Sequence, residues 1–228
     1  MAAMARILNL ETATTNCSVS ISDGSNIVCL KENNAVNYSH SEQLHVFIKE
    51  ALEEASLSFS DLDAIAISKG PGSYTGLRIG VSAAKGLCFS LDLPLISVPT
   101  LESMANQIGV SKGELIIPVL DARRMEVYSA VYDSSYVEIR DTRAEIIDDN
   151  SFNEFSSYSK VYVVGSGAEK CKEILKPTNF HFNTSIVPSA KEMAQIAFNK
   201  YQEGIFEDVA YFEPYYLKDF VLQVKKKN

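Results

Sequence analysis

Several features that mark membrane, secreted or nucleic-acid-binding proteins are missing from this sequence of 228 residues. No apolar run approaches the roughly 20 residues that a membrane-spanning helix needs. The four cysteines are widely spaced and form no Cys-x-x-Cys motif, so we expect buried free thiols in a cytoplasmic protein, and neither a disulfide nor a zinc site. The net charge of −8 argues against nucleic-acid binding by the isolated chain, because such binding depends on neutralising phosphates.

Signatures of catalysis are also scarce. The chain has three histidines, and His40 and His45 are five positions apart, whereas metal-binding pairs on one helix face are three or four apart. Neither a Gly-x-Ser-x-Gly nucleophile elbow nor a Gly-x-x-x-x-Gly-Lys-Ser/Thr phosphate loop is present. We therefore expect no metal site and no tightly bound cofactor, while a Ser-His-Asp triad stays open.

The hydrophobic pattern predicts an α/β protein whose two halves repeat one order of elements. In residues 17–22, Cys17, Val19 and Ile21 alternate with serines, which is typical of a half-buried strand. The first half is predicted to contain strands at 6–11, 17–22, 26–31, 64–68 and 95–98, with helices from Ser39 and over 74–90. The second half is predicted to contain strands at 115–120, 126–132, 136–146 and 161–164, with helices near 152–158, from Ala168 and over 190–203.

The repeated order predicts two lobes that pack directly against each other. Glu11 and Asp121 end the corresponding first strands, and each half has a glycine-rich turn before a helix. We place the N-terminal lobe at 1–104 and the C-terminal lobe at 105–205, and expect 206–228 to fold back over the first lobe. Duplicated βββαβα lobes resemble the actin, sugar-kinase and Hsp70 ATPase superfamily, so this fold is expected.

Three turns are candidates either for nucleotide contact or for a purely structural role. Phosphate loops of that superfamily usually combine an Asp with a Gly, and Glu11 and Ala13 stand there instead, so we expect poor ATP binding. The turn at 70–73 opens a helix, but Pro71 removes one N–H donor. The turn after Asp121 has the charges of an ordinary hairpin tip, and their opposite signs also permit an Arg–carboxylate pair that fixes the turn. The candidates are Glu11, Thr12, Thr14, Gly70, Gly72, Ser73, Asp121, Arg123 and Arg124.

Small residues on one helix face predict a close contact. Gly76, Gly80 and Ala84 share that face, and glycine inside a helix costs about 0.5–1 kcal/mol relative to alanine. We predict that this helix and the preceding one form a bundle with the same helices of a partner, and that Gly80→Leu blocks the contact without unfolding the monomer. In the alternative, the two helices pack only on each other. The interface candidates are His40, Ser41, Leu44, Phe47, Ile48, Gly76, Arg78, Gly80, Ala84 and Leu87.

Residues 70–80, Gly-Pro-Gly-Ser-Tyr-Thr-Gly-Leu-Arg-Ile-Gly, resemble the G-P-G-S-[FY]-T-G-L-R-I-G signature of the TsaB (YeaZ) family almost residue for residue. That family takes part in making the threonylcarbamoyladenosine of tRNA. Weaker matches follow in order along almost the whole chain, including 121–128 and 214–218. The match at 121–128 implies a role in lobe orientation or subunit contact. His45 and Lys218 depart from the family, which commonly has an aliphatic residue and an arginine there.

The resemblance implies a non-catalytic subunit, similar to a degenerate copy of the TsaD transferase. It implies pairing with a TsaD-like subunit and a TsaE-like ATPase, or with a second copy of this chain in isolation. It also implies that tRNA, and ATP or ADP, are met only within the complex. Two alternatives stay open: a small ATPase or kinase of the same fold, which needs a working phosphate loop, and a glycoprotease-like peptidase, which needs a metal or nucleophile site.

Overall fold

The computed structural model describes residues 4–34 and 40–218, and within them the strands form two five-stranded sheets. Ser39, the predicted start of the first helix, lies outside the described residues. The first half contains β1 (Arg6–Glu11), β2 (Asn16–Asp23), β3 (Asn26–Asn34), α1 (His40–Glu54), β4 (Ala64–Gly70), α2 (Tyr74–Leu91), β5 (Leu95–Pro99) and α3 (Thr100–Ala105). The second half contains β6 (Glu114–Asp121), β7 (Glu126–Tyr132), β8 (Glu138–Ile146), β9 (Lys160–Val164), α4 (Ala168–Ile174), β10 (Phe180–Asn183) and α5 (Ala190–Glu203).

Both sheets have the same topology. The first has the order β3-β2-β1-β4-β5 and the second β8-β7-β6-β9-β10. In each, the first three strands are antiparallel neighbours and the last two continue the sheet in parallel. This is the predicted duplicated, actin-like arrangement. The short elements α3 and β10 were not predicted, and residues 100–107, which contain α3, were interpreted only as the boundary between the lobes.

Helices cover both faces of the first sheet. On one face, α1 packs on β2 and β3 while α2 packs on β4. On the other, α5 crosses β1, β2 and β5, and its Met193 and Ala197 share a buried cluster with Ile7, Ala64 and Ile96. The helix α3 contacts strands of both sheets and so joins the lobes.

The position of α5 corrects two sequence-based expectations. β2 is not half-buried: Ser18, Ser20 and Ser22 are buried as completely as the apolar residues between them. The reason is that α5 begins on this serine face, where the Ser20 hydroxyl donates to the carbonyl of Ala190 at 2.8 Å and the Ala190 N–H donates to Ser18 at 3.0 Å. Residues 190–203, assigned by sequence to the second lobe, therefore pack on the first sheet.

The chain after α5 returns along the first lobe. The N–H of Glu207 donates to the carbonyl of Leu95 at 2.8 Å, at the edge of β5. Phe212 is buried in the core beneath α1 and α2, and Lys85 on α2 donates to the carbonyls of Ala210 and Phe212 at 3.1 and 2.9 Å. The described part of this segment ends at Lys218, and the predicted continuation to 228 lies outside the described residues.

The cysteines are buried free thiols, as their wide spacing predicted. All four are buried and free, and burial raises the pKa of each thiol, to about 12 for Cys88 and Cys171. Within 4–34 and 40–218, no helix combines the length and the apolar character needed to cross a bilayer.

Candidate functional site

A fully buried carboxyl group ends β1. The Oε1 atom of Glu11 accepts hydrogen bonds from the backbone N–H of Ala13 at 2.6 Å and from the hydroxyl of Ser68 at 2.8 Å. Desolvation raises the pKa of Glu11 from its ordinary 4.5 to about 7, and these hydrogen bonds oppose the rise only in part. The group therefore titrates near neutral pH, inside the lobe.

The turn that follows Glu11 is closed by the start of α2. The N–H of Ser73 donates to the carbonyl of Ala13 at 2.7 Å, and the Ser73 hydroxyl accepts from the N–H of Gly76 at 3.3 Å. A Cβ atom on Gly72 would lie closer than 3.0 Å to the same Ala13 carbonyl. Of the two interpretations of residues 70–73, this geometry favours the structural turn, because the N–H groups of Ser73 and Gly76 both donate within the lobe.

The small-residue face of α2 meets its own lobe, which corrects the predicted interface. Gly76, Gly80 and Ala84 are all buried. A Cβ on Gly76 would lie within 3.0 Å of the Thr12 carbonyl, and one on Gly80 would lie within 3.0 Å of the Thr12 hydroxyl and 2.9 Å from Ile67. The close approach predicted from these residues is real, but it is to the turn after β1. The clash in Gly80→Leu therefore lies within one chain.

Four α1 residues among the interface candidates also point inward, Phe47 only in part. Leu44 and Ile48 belong to the buried core, and Phe47 packs partly against it. His40 is buried at the start of α1, with its Nε2 atom 2.7 Å from the carbonyl of Thr14, and burial lowers its pKa. Leu44 and Ile48 are therefore not available to a partner, and His40 holds the start of α1 against the turn.

The outer faces of α1 and α2 form a groove with a volume of about 790 Å³. Three predicted interface residues, Ser41, Arg78 and Leu87, line it. Its other lining residues are His45, Tyr74, Thr75, Ile79, Ser82, Ala83 and Gly86. Arg78 donates to the Tyr74 hydroxyl at 2.8 Å and so forms part of one wall. A second groove of about 550 Å³ adjoins the first along α2, shares Gly86 with it, and is otherwise lined by Lys85, Phe89, Asp208, Val209 and Ala210.

The turn after β6 is fixed by a lysine that sequence reasoning missed. Lys170 on α4 donates to Oδ1 of Asp121 at 2.8 Å and to the carbonyls of Arg124 and Glu126 at 2.7 and 3.1 Å. The predicted Arg–carboxylate pair is replaced by this contact. Arg123 and Arg124 have left-handed backbone conformations, with φ of 71° and 51°, and are exposed. No spacing rule links positions 121 and 170, so only the repeated fold could have indicated the pair.

Between residues 4 and 218, apart from 35–39, no group of three or more His, Cys, Asp or Glu side chains is placed to hold a metal ion. His40 is buried behind the turn, whereas His45 lines the outer groove.

Comparison with known proteins shows the family to which this chain belongs. Residues 34–226 match the family model of TsaD, tRNA N6-adenosine threonylcarbamoyltransferase. The tRNA threonylcarbamoyladenosine biosynthesis protein TsaB of Escherichia coli (strain K12) is 30% identical over 228 residues, which cover 95% of this chain and 96% of that protein. The chain belongs to the TsaB family. The TsaB family is one of tRNA threonylcarbamoyladenosine biosynthesis.

Solved structures show the fold that this TsaB family member shares. An uncharacterized Pseudomonas aeruginosa protein with similarity to peptidase YEAZ superposes with a TM-score of 0.83 at 24% identity, over 94% of this chain and 100% of that chain. Component A of the (R)-2-hydroxyglutaryl-CoA dehydratase of Acidaminococcus fermentans gives a TM-score of 0.52 at 11% identity, over 87% and 98%. The two-lobed architecture is thus common to proteins of different activities, and function must be argued from the site.

Proposed function

We propose that this chain is a non-catalytic, activating subunit of the cytoplasmic complex that makes threonylcarbamoyladenosine in tRNA. In this role it pairs with a TsaD-like transferase and works with a TsaE-like ATPase. The observation that carries the proposal is the groove between the outer faces of α1 and α2, which offers a surface for helices of a partner. Membership of the TsaB family indicates tRNA threonylcarbamoyladenosine biosynthesis, and the groove is the surface through which we propose that the subunit assembles.

The lining of the groove suits a helical partner. Ile79, Ala83 and Leu87 repeat along one side of α2 at helical spacing and are only partly buried. Ala83 and Gly86 are small, so a partner helix can approach α2 at the short end of the usual 8–10 Å range. In the absence of a TsaD-like subunit, a second copy of this chain can use the same surface through a two-fold interface. The two predicted helices are thus retained, but with a neighbouring, partly exposed face of α2.

The closed turn after β1 supports a subunit that does not hydrolyse ATP by itself. Ala13 occupies the position of the loop glycine, and its carbonyl is bound to the N–H of Ser73. We therefore propose that ATP or ADP acts only in the assembled complex. The chain carries a net charge of −8, so tRNA is also reached through the complex. ATP turnover by the isolated chain would favour the alternative of a small ATPase or kinase of this fold.

A charged substitution in the groove tests the proposal. Ala83→Arg places a long cation on the helix face that a partner must cover, and we expect it to weaken binding of a TsaD-like subunit at least tenfold in calorimetric titration. Gln202→Arg adds the same charge on the exposed side of α5, outside both grooves, and should bind normally. Thermal unfolding of both variants shows whether they fold, and Ser82→Arg serves as a second groove variant. Normal binding by folded Ala83→Arg and Ser82→Arg contradicts the assignment of the groove.

A further inference from the structure

The described C-terminal residues cross from the first lobe to the second. The N–H of Tyr215 donates to the carbonyl of Lys69 at 2.7 Å, at the end of β4. Three residues later, Lys218 forms an ion pair with Glu126, the first residue of β7 in the second sheet. The Nζ atom of Lys218 also lies 5.9 Å from the centre of the Tyr128 ring. Residues 213–218, here called the strap, thus connect the two sheets from outside.

The strap is held firmly at its first-lobe end. Phe212, immediately before it, is buried in the core, and Lys85 donates to the Phe212 carbonyl at 2.9 Å. The carbonyl oxygen of Tyr215 lies so close to Gly70 that a Cβ there would be 3.0 Å away. Since this end is fixed, a change in the orientation of the second lobe must alter the contact of Lys218 with Glu126.

The strap also contacts the wall of the groove between α1 and α2. The ring of Tyr216 lies 5.0 Å from the ring of Tyr74, centre to centre, with 38° between their planes. Tyr74 lines the groove, and Arg78 beside it both donates to the Tyr74 hydroxyl and lies 5.3 Å from the ring centre. A partner that moves Tyr74 or Arg78 therefore acts on Tyr216, two residues before Lys218.

We propose that the strap couples the groove to the orientation of the second lobe. Movement of Tyr74 shifts Tyr216, and the shift reaches β7 through Lys218. The Lys218 and Glu126 side chains are 37% and 24% exposed, so their ion pair is partly screened by solvent and can open without a large cost. A weak contact at the end of a well-anchored segment is what a reversible coupling requires. Only the identity of the partner rests on the proposed function; the coupling is a property of this chain.

Spin labels on the isolated chain test the proposal. Ser25→Cys and Ser157→Cys place one label on each lobe at exposed positions outside both grooves, and the four native thiols are buried. We expect a narrow distribution of distances between the labels. Lys218→Glu and Glu126→Lys should each broaden it, and the double variant should restore it. Lys172→Glu makes the same charge change on the exposed side of α4 and should leave the distribution unchanged.

The coupling to the groove is tested by Tyr74→Ala in the same labelled chain. This variant leaves Lys218 and Glu126 intact, yet we expect it to broaden the distribution as Lys218→Glu does. An unchanged distribution in folded Tyr74→Ala, or in folded Lys218→Glu, overturns the proposal. Addition of a TsaD-like subunit should shift the distribution of label-to-label distances in the chain with the native strap, and should leave it unchanged in Lys218→Glu. If the subunit binds without shifting the distances, the coupling is wrong and the proposed function stands. If the subunit does not bind, the proposed function fails, and the results on the isolated chain still decide whether the coupling exists.

Discussion

Replacing Gly76 with alanine tests how closely α2 packs on the turn after β1. The new Cβ would lie closer than 3.0 Å to the carbonyl oxygen of Thr12 and 3.3 Å from the ring of His40. The oxygen belongs to a backbone segment whose next residue, Ala13, is bound on one side to Glu11 and on the other to Ser73. It therefore cannot move aside as the end of a flexible side chain can.

The expected effect of Gly76→Ala is a balance of two opposing contributions. Alanine favours the helix over glycine by about 1 kcal/mol. Overpacking a buried site costs about 1–3 kcal/mol, and a clash with fixed backbone places the cost at or above the upper end. We expect a net loss of about 2 kcal/mol in the free energy of unfolding. For a chain of this size, that lowers the melting temperature by roughly 4–8 °C.

The matched control is Gly86→Ala on the same helix. A Cβ at Gly86 has no neighbour within 4 Å, so the substitution should stabilise the protein by about 0.5–1 kcal/mol. Urea unfolding followed by circular dichroism measures both variants against the parent chain. If Gly76→Ala proves as stable as Gly86→Ala, the argument that α2 touches the β1 turn is refuted.

Two further substitutions test the buried polar contacts. Burial raises the pKa of Glu11 to about 7 from 4.5, so the folded state holds a proton that the unfolded state has lost, and stability falls as pH rises between these values. Glu11→Gln should make this slope shallower in urea unfolding from pH 4.5 to 8, while Glu102 and Glu192, whose pKa values burial also raises, keep part of it. Equal slopes in the two proteins would count against the assignment. Lys170→Met removes one hydrogen bond each from Asp121 and from the carbonyls of Arg124 and Glu126, of which Asp121 keeps the N–H of Arg123 and the Glu126 carbonyl keeps the N–H of Ala122. It should therefore destabilise the protein by about 1 kcal/mol and speed hydrogen exchange at 122–126. Exposed Lys172→Met is its control, and equal stability of the two variants contradicts the role of Lys170.

Local patterns predicted most of the elements. The strands β1 and β7 and the helix α5 have the same bounds in the structure as in the sequence analysis, since alternation, helical spacing and turn residues mark their ends. The repeated order of elements then predicted the two lobes. The strand β10 has four residues, and α3 has six, and such short elements carry too little periodicity to be recognised.

The sequence could not show which part of the protein packs against each patterned helix or strand face. Gly76 and Gly80 required a close neighbour, but helical spacing does not say whether that neighbour is a partner helix or the turn at Thr12. The serines of β2 looked solvent-facing because their partner, the start of α5, lies some 170 residues further along the chain. Lys170 and Asp121 are likewise joined only by the fold. Each miss concerns a contact between distant segments, which local pattern does not encode.

The return of α5 to the first sheet has a consequence for how the protein is made. A ribosome releases the chain from its N-terminus, so β1 to β5 are complete long before residues 190–203 emerge. Until then, the sheet face formed by Ile7, Ala64 and Ile96 has no helix to cover it. The nascent first lobe therefore exposes apolar surface through synthesis of the whole second lobe, a state prone to aggregation. The N-terminal lobe reaches its final packing only after α5 and Phe212, which is buried in its core, have both been translated.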